Sequence, residues 1–457
     1  MSIFFVVFIE HKKPVEALFW VMLITLLPVI GVVIYSIFGS TFRIKLHYFL
    51  RSRNLYQELQ DAFSYSFTEL EACTSELTET QRENIIFHKT YNNGEIAAYN
   101  QAEIITNATQ KYEKLFSDLE QARQSLYVVY YAIHGDKTGK RFIKALIKKA
   151  KEGVSVRVLY DGVGSMFTSY KLFRKLRQAG GRVRKVKSSF THFRNHRKIV
   201  VIDGRIGYTG GMNIGDKYLG EKKHKSPWRD TQIRIKGDAV YALQYYFYYD
   251  WYYAGRKKDV TYEELCSAFP PHGITEENIC QVIAGGADTN QEAIKMTYMK
   301  LISTAKNRIV MQTPYLVPDE SLFNALKIAM ASGVEVILMI PMQSPGFFLE
   351  STTNYYVSML LPYGLRVYRY KGYLHAKTIT IDREITCIGT ANIDVRSIEL
   401  DDEICILFYG KEMIEKHLAI LEQDMKNAEV LDVAAFENRG VFTKAKERFF
   451  KLFSPLL

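Results

Sequence analysis

Apolar and polar positions along this chain fall into two regimes. Near the start, Ala17 to Phe38 is a run of 22 residues without a charge. That is long enough for a helix to cross a bilayer at the roughly 20 residues usually needed. Pro28 and Gly31 lie inside it, which a membrane helix tolerates, and Trp20 and Tyr35 are placed to anchor at the two interfaces. Ile3 to Ile9 is a shorter apolar fragment, cut off by Glu10-His11-Lys12-Lys13. Further on, short alternating apolar stretches are separated by helical segments, and the pattern occurs twice. Ala122 to Tyr131 matches Ala305 to Pro314. Phe142 to Ile147 followed by Glu152 to Leu159 matches Leu322 to Ala325 followed by Ser332 to Leu338. Each half reads strand, helix, strand, helix, then a hairpin, which predicts α/β layers with a mixed, mainly parallel sheet in each of two pseudo-symmetric domains. The expected boundaries are a membrane region 1–40 (helix 17–38, fragment 3–9), a juxtamembrane and linker region 41–104, domains 105–265 and 270–435, and a basic amphipathic tail 436–457. Asn92 to Ala97 and Asn100 to Thr109 read as loop. The aromatic run Tyr241 to Tyr253 reads as a buried packing helix.

The hairpins carry the chemistry. The first contains His196, Lys198, Asp203 and Asn213, and the second His375, Lys377, Asp382 and Asn392. In both, Lys follows His by two, Asp follows Lys by five and Asn follows Asp by ten. Strand side chains two apart share a face, so His and Lys point the same way. A Gly-rich turn brings the Asn back. The two Asp residues lie an odd number of steps away, at strand-turn junctions where Asp is favoured for backbone reasons, and are expected to be structural. Two such hairpins together offer two imidazoles, two ammoniums and two amides. This set suits displacement at a phosphodiester: one neutral His attacks phosphorus, the other protonates the departing alkoxide, and the lysines and asparagines stabilise charge on the non-bridging oxygens. No metal or cofactor is required.

These residues resemble the phospholipase D superfamily, whose signature is His-x-Lys-x4-Asp followed by a Gly-rich turn and Asn. The resemblance implies catalytic roles for the eight residues and a carboxylate orienting each His: Asp230 after the first motif, at the edge of the strand Thr231 to Ile235, and Glu403 after the second, before Ile404 to Phe408. Within the superfamily the chain is most similar to bacterial cardiolipin synthases. The residues behind this are Ile37-Phe-Gly39, Leu159-Tyr-Asp-Gly-Val-Gly-Ser165, Tyr208-Thr-Gly-Gly-Met-Asn213, Trp228-Arg-Asp230, Leu374-His-Ala-Lys377 and Ser454-Pro-Leu-Leu457. The expected reaction joins two phosphatidylglycerols and releases glycerol, with His196 as nucleophile and His375 as general acid and base. A hydrolase using water as acceptor and a transferase with another acceptor use the same groups, as does a nucleic-acid phosphodiesterase, against which the membrane segment argues.

Charge and cysteines narrow the setting. The formal net charge of +11 suits an anionic lipid surface, while the basic stretches Lys137 to Lys151 and Arg174 to Lys187 read as solvated helix faces rather than a nucleic-acid track. Lys12 and Lys13 precede the long apolar run, and Arg43, Lys45, Arg51 and Arg53 follow it, so the positive-inside tendency places the catalytic part in the cytoplasm of a bacterial cell, at the inner membrane. Cys73, Cys266, Cys280, Cys387 and Cys405 form no paired motif and suit a reducing compartment. The repeat supplies both halves of the site, so catalysis needs no dimer.

Overall fold

The computed structural model describes residues 2–9, 14–36, 73, 76–168, 170–186, 193–220, 228–255, 260–286, 292–343 and 346–454. The basic flanks Lys12, Lys13, Arg43, Lys45, Arg51 and Arg53, the stretch Ile37 to Gly39, and Pro455 to Leu457 lie outside these residues. So does most of the linker region.

The strands of the first half are β1 (Ile96–Ile105), β2 (Ser125–Tyr130), β3 (Ser155–Asp161), β4 (Arg182–Val186), β5 (Lys198–Ile202), β6 (Ile206–Gly210), β7 (Trp228–Arg229) and β8 (Gln232–Gly237). Those of the second are β9 (Glu277–Gly285), β10 (Arg308–Gln312), β11 (Leu316–Val317), β12 (Glu335–Pro341), β13 (Arg366–Tyr370), β14 (Tyr373–Leu374), β15 (Thr378–Ile381), β16 (Ile385–Gly389), β17 (Ile393–Asp394), β18 (Glu403–Phe408) and β19 (Ala428–Val430). Among the described residues, fifteen of them form one continuous sheet in the order β19-β13-β12-β10-β15-β16-β18-β9-β1-β8-β6-β5-β2-β3-β4. Leaving β19 aside, the order is the same read from either end, so the halves meet about a pseudo-twofold axis at the β9–β1 ladder.

Two expectations are corrected here. The halves share one sheet rather than holding one each, and that sheet is mainly antiparallel: only β2–β3, β3–β4, β10–β12 and β12–β13 run parallel. The reason is connection length. Helical crossovers allow parallel pairing, but the His-Lys strands are joined to their neighbours by tight turns that force the chain to reverse. The second correction concerns Asn100 to Thr109, read as loop, whose first six residues belong to the central strand β1. Its polar residues hid it: buried Asn100 donates to the carbonyls of Ala97 and Asn278 and accepts from the N–H of Ala239. With its amide satisfied on all sides, Asn100 fits where a hydrophobic residue was expected.

The helix Ala239–Tyr253 is buried along its whole length. Its aromatic side chains pack in one cluster with Tyr127, Ile199 and Ile233 of the first half and Val282, Ile388 and Ile406 of the second. It therefore fastens the seam as well as the first domain. At the other end of the chain, the helix Val441–Lys451 docks on the helix Phe347–Leu360, with the Phe450 ring 5.5 Å from Phe347 and 5.1 Å from Phe348. Val441, Phe442 and Leu452 of the tail stay exposed.

The single long helix expected over 17–38 is found as two, Pro14–Leu26 and Pro28–Ile34. Pro28 lacks an N–H and disfavours the helical region for the residue before it. Leu27 accordingly sits at φ −129°, ψ 73°. Trp20 and Tyr35 have ring centroids 5.4 Å apart, where a straight helix would separate them by about 22 Å. The chain has doubled back, and Gly31 makes this possible: a Cβ there would lie 2.6 Å from the Leu23 carbonyl oxygen. Among the described residues no helix is long and apolar enough to cross a membrane. The outer faces of the pair remain apolar and exposed, at Leu18, Phe19, Met22, Leu26, Val29, Ile30 and Val33.

The two motif aspartates sit in the turns that end β5 and β15. Asp203 has φ 52° and Gly204 φ 63°, and Asp382 has φ 49° and Arg383 φ 61°, the left-handed pair of a tight hairpin. The Asp203 carboxylate accepts the backbone N–H groups of Arg123, Gln124 and Ser125 at 2.7–2.8 Å. Asp382 accepts those of Lys306, Asn307 and Arg308. Each ties the hairpin to the start of the strand beside it in the sheet, β2 for Asp203 and β10 for Asp382. Replacing either with Ala is expected to lower stability by about 1–3 kcal/mol, read as a lower chemical-denaturation midpoint, with kcat per folded molecule within about threefold of wild type. An unchanged midpoint with kcat abolished would return them to the chemistry.

Candidate active site

Both histidines stand just ahead of their strands, where the chain crosses from one half to the other. The His196 N–H donates to the carbonyl of Asp402 at 2.9 Å, and its Nδ1 lies 2.7 Å from Oε1 of Glu403. The His375 N–H donates to the carbonyl of Arg229 at 2.7 Å, and its Nδ1 lies 2.7 Å from Oδ2 of Asp230. Each imidazole is thus held twice, by consecutive residues of the opposite half. The expected partners, Asp230 and Glu403, are the carboxylates that meet the histidines, but crosswise: the carboxylate that follows one motif orients the His of the other. Parallel pairing of β7 with β14 and the bridge between Asn195 and Asp402 produce the exchange.

The tautomer that donates Nδ1–H to the carboxylate leaves Nε2, on the far edge of each ring, as a lone-pair donor. The histidine side chains are 13% and 19% exposed, whereas both carboxylates are fully buried behind them. The imidazoles therefore lie nearer the surface than the carboxylates. Lys198 Nζ donates to the His196 carbonyl at 2.6 Å, and Lys377 Nζ to that of His375. Burial is the largest influence on all of these groups. It pushes Lys198 down to about 7 and Lys377 down to about 8, against the pull of Glu403 on the first and Asp230 on the second. His375 is held down to about 3 by burial and Lys377, with Asp230 opposing, and His196 is held well below its ordinary value by burial and then by Lys198, Lys377, Arg194 and Arg396. Both shifts favour the neutral imidazole.

The carboxylates differ. Glu403 is raised to about 7 by burial, and its second oxygen takes the Thr390 hydroxyl. Asp230, though burial works against it, is lowered by His375, Lys377 and the Thr231 N–H, and remains ionised. Where the second half has Thr390, the first has Gly211, and a Cβ there would lie 2.0 Å from Oδ1 of Asp230.

The asparagines are fixed rather than free. Asn213 accepts the Ala132 N–H at 3.0 Å and donates to the Tyr218 hydroxyl at 2.9 Å, while Asn392 donates to the Tyr315 hydroxyl at 2.8 Å. The turns that carry them are pinned by groups absent from the motif. Buried Lys111 donates to the carbonyls of Met212 and Asn213 and Tyr112 to that of Asn213, while Tyr298 donates to that of Ala391. Lys111 lies on an amphipathic helix (Ala108–Gln121), and nothing in its sequence spacing marks it. Arg197, the residue inside the first His-x-Lys, is fully buried. It donates to the carbonyls of Glu403 and Gly285 and pairs with Asp250 of the aromatic helix, bracing the seam directly behind the carboxylate. Asp203 and Asp382 lie at the far ends of their strands, away from this cluster.

A family model described as "Cardiolipin synthase, PLD-like domain" matches residues 115–251 and 298–425, and one described as "Phospholipase_D-nuclease N-terminal" matches residues 1–40. The chain is 36% identical to the major cardiolipin synthase of Bacillus subtilis over 99% of its own length and 96% of that protein's. It is 34% identical to cardiolipin synthase 1 of Bacillus anthracis, over 100% and 92%, and to a cardiolipin synthase of Listeria monocytogenes, over 100% and 97%. The crystal structure of a phosphatidylserine synthase from Haemophilus influenzae, 15% identical, shares the fold with a TM-score of 0.63 over 82% of this chain and 100% of that one. Full-length likeness, a duplicated family domain and a paired His-Lys site at the seam of one sheet place the chain in the cardiolipin synthase family of phospholipase D-type phosphatidyltransferases.

Proposed function

We propose that this enzyme joins two phosphatidylglycerols into cardiolipin and glycerol through a phosphohistidine on His196, with His375 as the general acid and base. The observation that carries the assignment is the difference between the two crosswise pairs. His196 faces four cations and a carboxylate near half-protonation, so it stays neutral and nucleophilic. His375 faces an ionised Asp230, which favours the imidazolium once a substrate anion offsets the lysines.

In the first step Nε2 of His196 attacks the phosphorus of one phosphatidylglycerol. The bond from phosphorus to the glycerol oxygen breaks, and that oxygen takes the proton held on His375. Lys198 and Lys377 bear on the non-bridging oxygens. In the second step neutral His375 takes the proton from the free primary hydroxyl of another phosphatidylglycerol. The hydroxyl oxygen bonds to phosphorus, the phosphorus–nitrogen bond breaks, and His196 is regenerated. Water in place of the lipid hydroxyl yields phosphatidic acid, so proximity of the acceptor decides the product.

The substrate's location fits the rest of the chain. The folded-back N-terminal helices expose a continuous apolar face, and they are proposed to insert in the bacterial inner membrane with the catalytic halves on the cytoplasmic side, where the basic residues Arg43, Lys45, Arg51 and Arg53 meet anionic lipid.

Two outcomes test the roles. With His375→Ala and a donor whose leaving group needs no proton, a phosphatidyl adduct should accumulate and map by mass spectrometry to His196, while turnover of phosphatidylglycerol itself drops about 10³-fold or more; an adduct on any other residue reverses the assignment. Lys198 and Lys377 are charged below their depressed values of about 7 and about 8 and lose charge as pH rises through them. Hence kcat/KM should fall between pH 7 and about 9, while kcat holds to higher pH because a bound anion keeps the lysines protonated. Parallel falls in both would show that the lysines are not what titrates.

A further inference from the structure

The pseudo-twofold relation makes residues at equal offsets in the motifs structural mates, and three pairs of mates flank the two histidines. Four residues after the asparagines stand Lys217 and Arg396. Two before the histidines stand Tyr373 and Arg194, and two before the carboxylates stand Trp228 and Asp401. The two triplets are built from opposite chemistry. Beside His196, Arg396 Nε lies 3.2 Å from Oδ2 of Asp401, whose Oδ1 accepts the Arg194 N–H at 3.2 Å. Arg396 and Asp401 are thus paired and buried.

Beside His375 an indole stands where that carboxylate would be. Trp228 stacks on Tyr373 at 4.2 Å, meets Tyr218 edge-on at 4.8 Å and lies 5.2 Å from the His375 ring. Lys217 Nζ sits over this platform, 5.0 Å from the Tyr218 ring and 5.8 Å from Trp228. Lys217 is exposed, and among the described residues its ammonium makes no hydrogen bond or ion pair. The carboxylate whose charge it feels, Asp136, already caps the helix Lys137–Lys151 through Gly139 N–H and accepts the Asp216 N–H. Asp216 is likewise occupied by the N–H groups of Lys137 and Thr138. The charge of Lys217 nevertheless reaches His375 and Lys377.

We infer that Lys217, on its Trp228–Tyr218 platform, receives the phosphodiester of the acceptor lipid. This rests on His375 being the base that activates the acceptor. An attacking phosphatidylglycerol carries its own phosphate only three carbons from the hydroxyl that reacts. Bringing that second anion up to a site already holding the donor's phosphate is repulsive unless a cation is waiting. Beside His375 stands an exposed one, Lys217; beside His196 its mate Arg396 is buried and already paired with Asp401. Water has no phosphate, so a cation at this position favours lipid over water and sets the balance between transfer and hydrolysis. A cation held against aromatic faces keeps its charge available for the incoming anion while remaining in place.

The experiment uses the full chain in phosphatidylglycerol vesicles, wild type against Lys217→Ala and Lys217→Arg, quantifying cardiolipin, phosphatidic acid and, with added butanol, phosphatidylbutanol. In K217A the ratio of cardiolipin to phosphatidic acid should fall about tenfold, and cardiolipin formation should suffer at least about fivefold more than transfer to butanol, an acceptor with no phosphate. K217R should restore most of the ratio. An unchanged ratio, or parallel loss of cardiolipin and phosphatidylbutanol, overturns the inference while leaving the proposed reaction standing. If wild type makes phosphatidic acid but no cardiolipin, the proposed reaction itself fails and takes this inference with it.

Discussion

Everything in this molecule depends on the exchange of backbone and side-chain hydrogen bonds across the seam. A buried carboxylate without a partner is strongly destabilising, by several kcal/mol for a charged group. Asp230 and Glu403 are both fully buried, and each finds its imidazole only on the other half. Neither half alone can hold an oriented His, so the site exists only when the two are assembled. The sheet is built to guarantee this. The β1–β9 ladder joins the halves through backbone, the aromatic helix packs against strands of both, and Arg197 ties the carbonyl of Glu403 to Asp250. Packing and catalysis are therefore fastened at the same place.

Symmetry of this kind would by itself give two equivalent histidines, which is a poor arrangement for a reaction that needs one nucleophile and one acid. Small substitutions break the equivalence. A longer carboxylate with a Thr hydroxyl behind it stands at one histidine; a shorter carboxylate, with a Gly where the hydroxyl would be, stands at the other. Burial then raises Glu403 to about 7, whereas the charges and N–H around Asp230 keep it ionised. The fold supplies the duplicate, and the residues behind each histidine make the two copies different.

Much of this was legible in the sequence, and the boundary of legibility is physical. Constant spacing betrayed the paired tetrads because a strand fixes the face of residues two apart, and Asp203 and Asp382 were separable because an odd offset turns them away. The carboxylates were legible as strand-edge acids, but their crosswise pairing was not, since local pattern carries no information about which half a short strand will join. The same blindness to long-range pairing turned one antiparallel-rich sheet into two mainly parallel ones. Asn100 hid a central strand because buried amides that find partners look polar in sequence. Pro28 was read as tolerable within a span, yet with Gly31 three residues on it lets the chain fold back. Lys111 had no signal at all: its role comes from two carbonyls a hundred residues away.

In the proposed reaction the motif residues act on the phosphorus of the donor and are indifferent to what attacks it, since a water and a primary alcohol present the same hydroxyl to the same base. Selection between them has to come from groups that touch the acceptor elsewhere, and a pseudo-symmetric site can tell donor from acceptor only where its symmetry is broken. The triplets beside the histidines are such a place. On one side the cation, Arg396, is buried against the carboxylate of Asp401; on the other an aromatic pair replaces that carboxylate and the cation, Lys217, is exposed. For an enzyme that joins two like-charged lipids, an accessible cation matters more than a deep pocket, because the obstacle to bringing the substrates together is their mutual repulsion in a poorly solvated cleft.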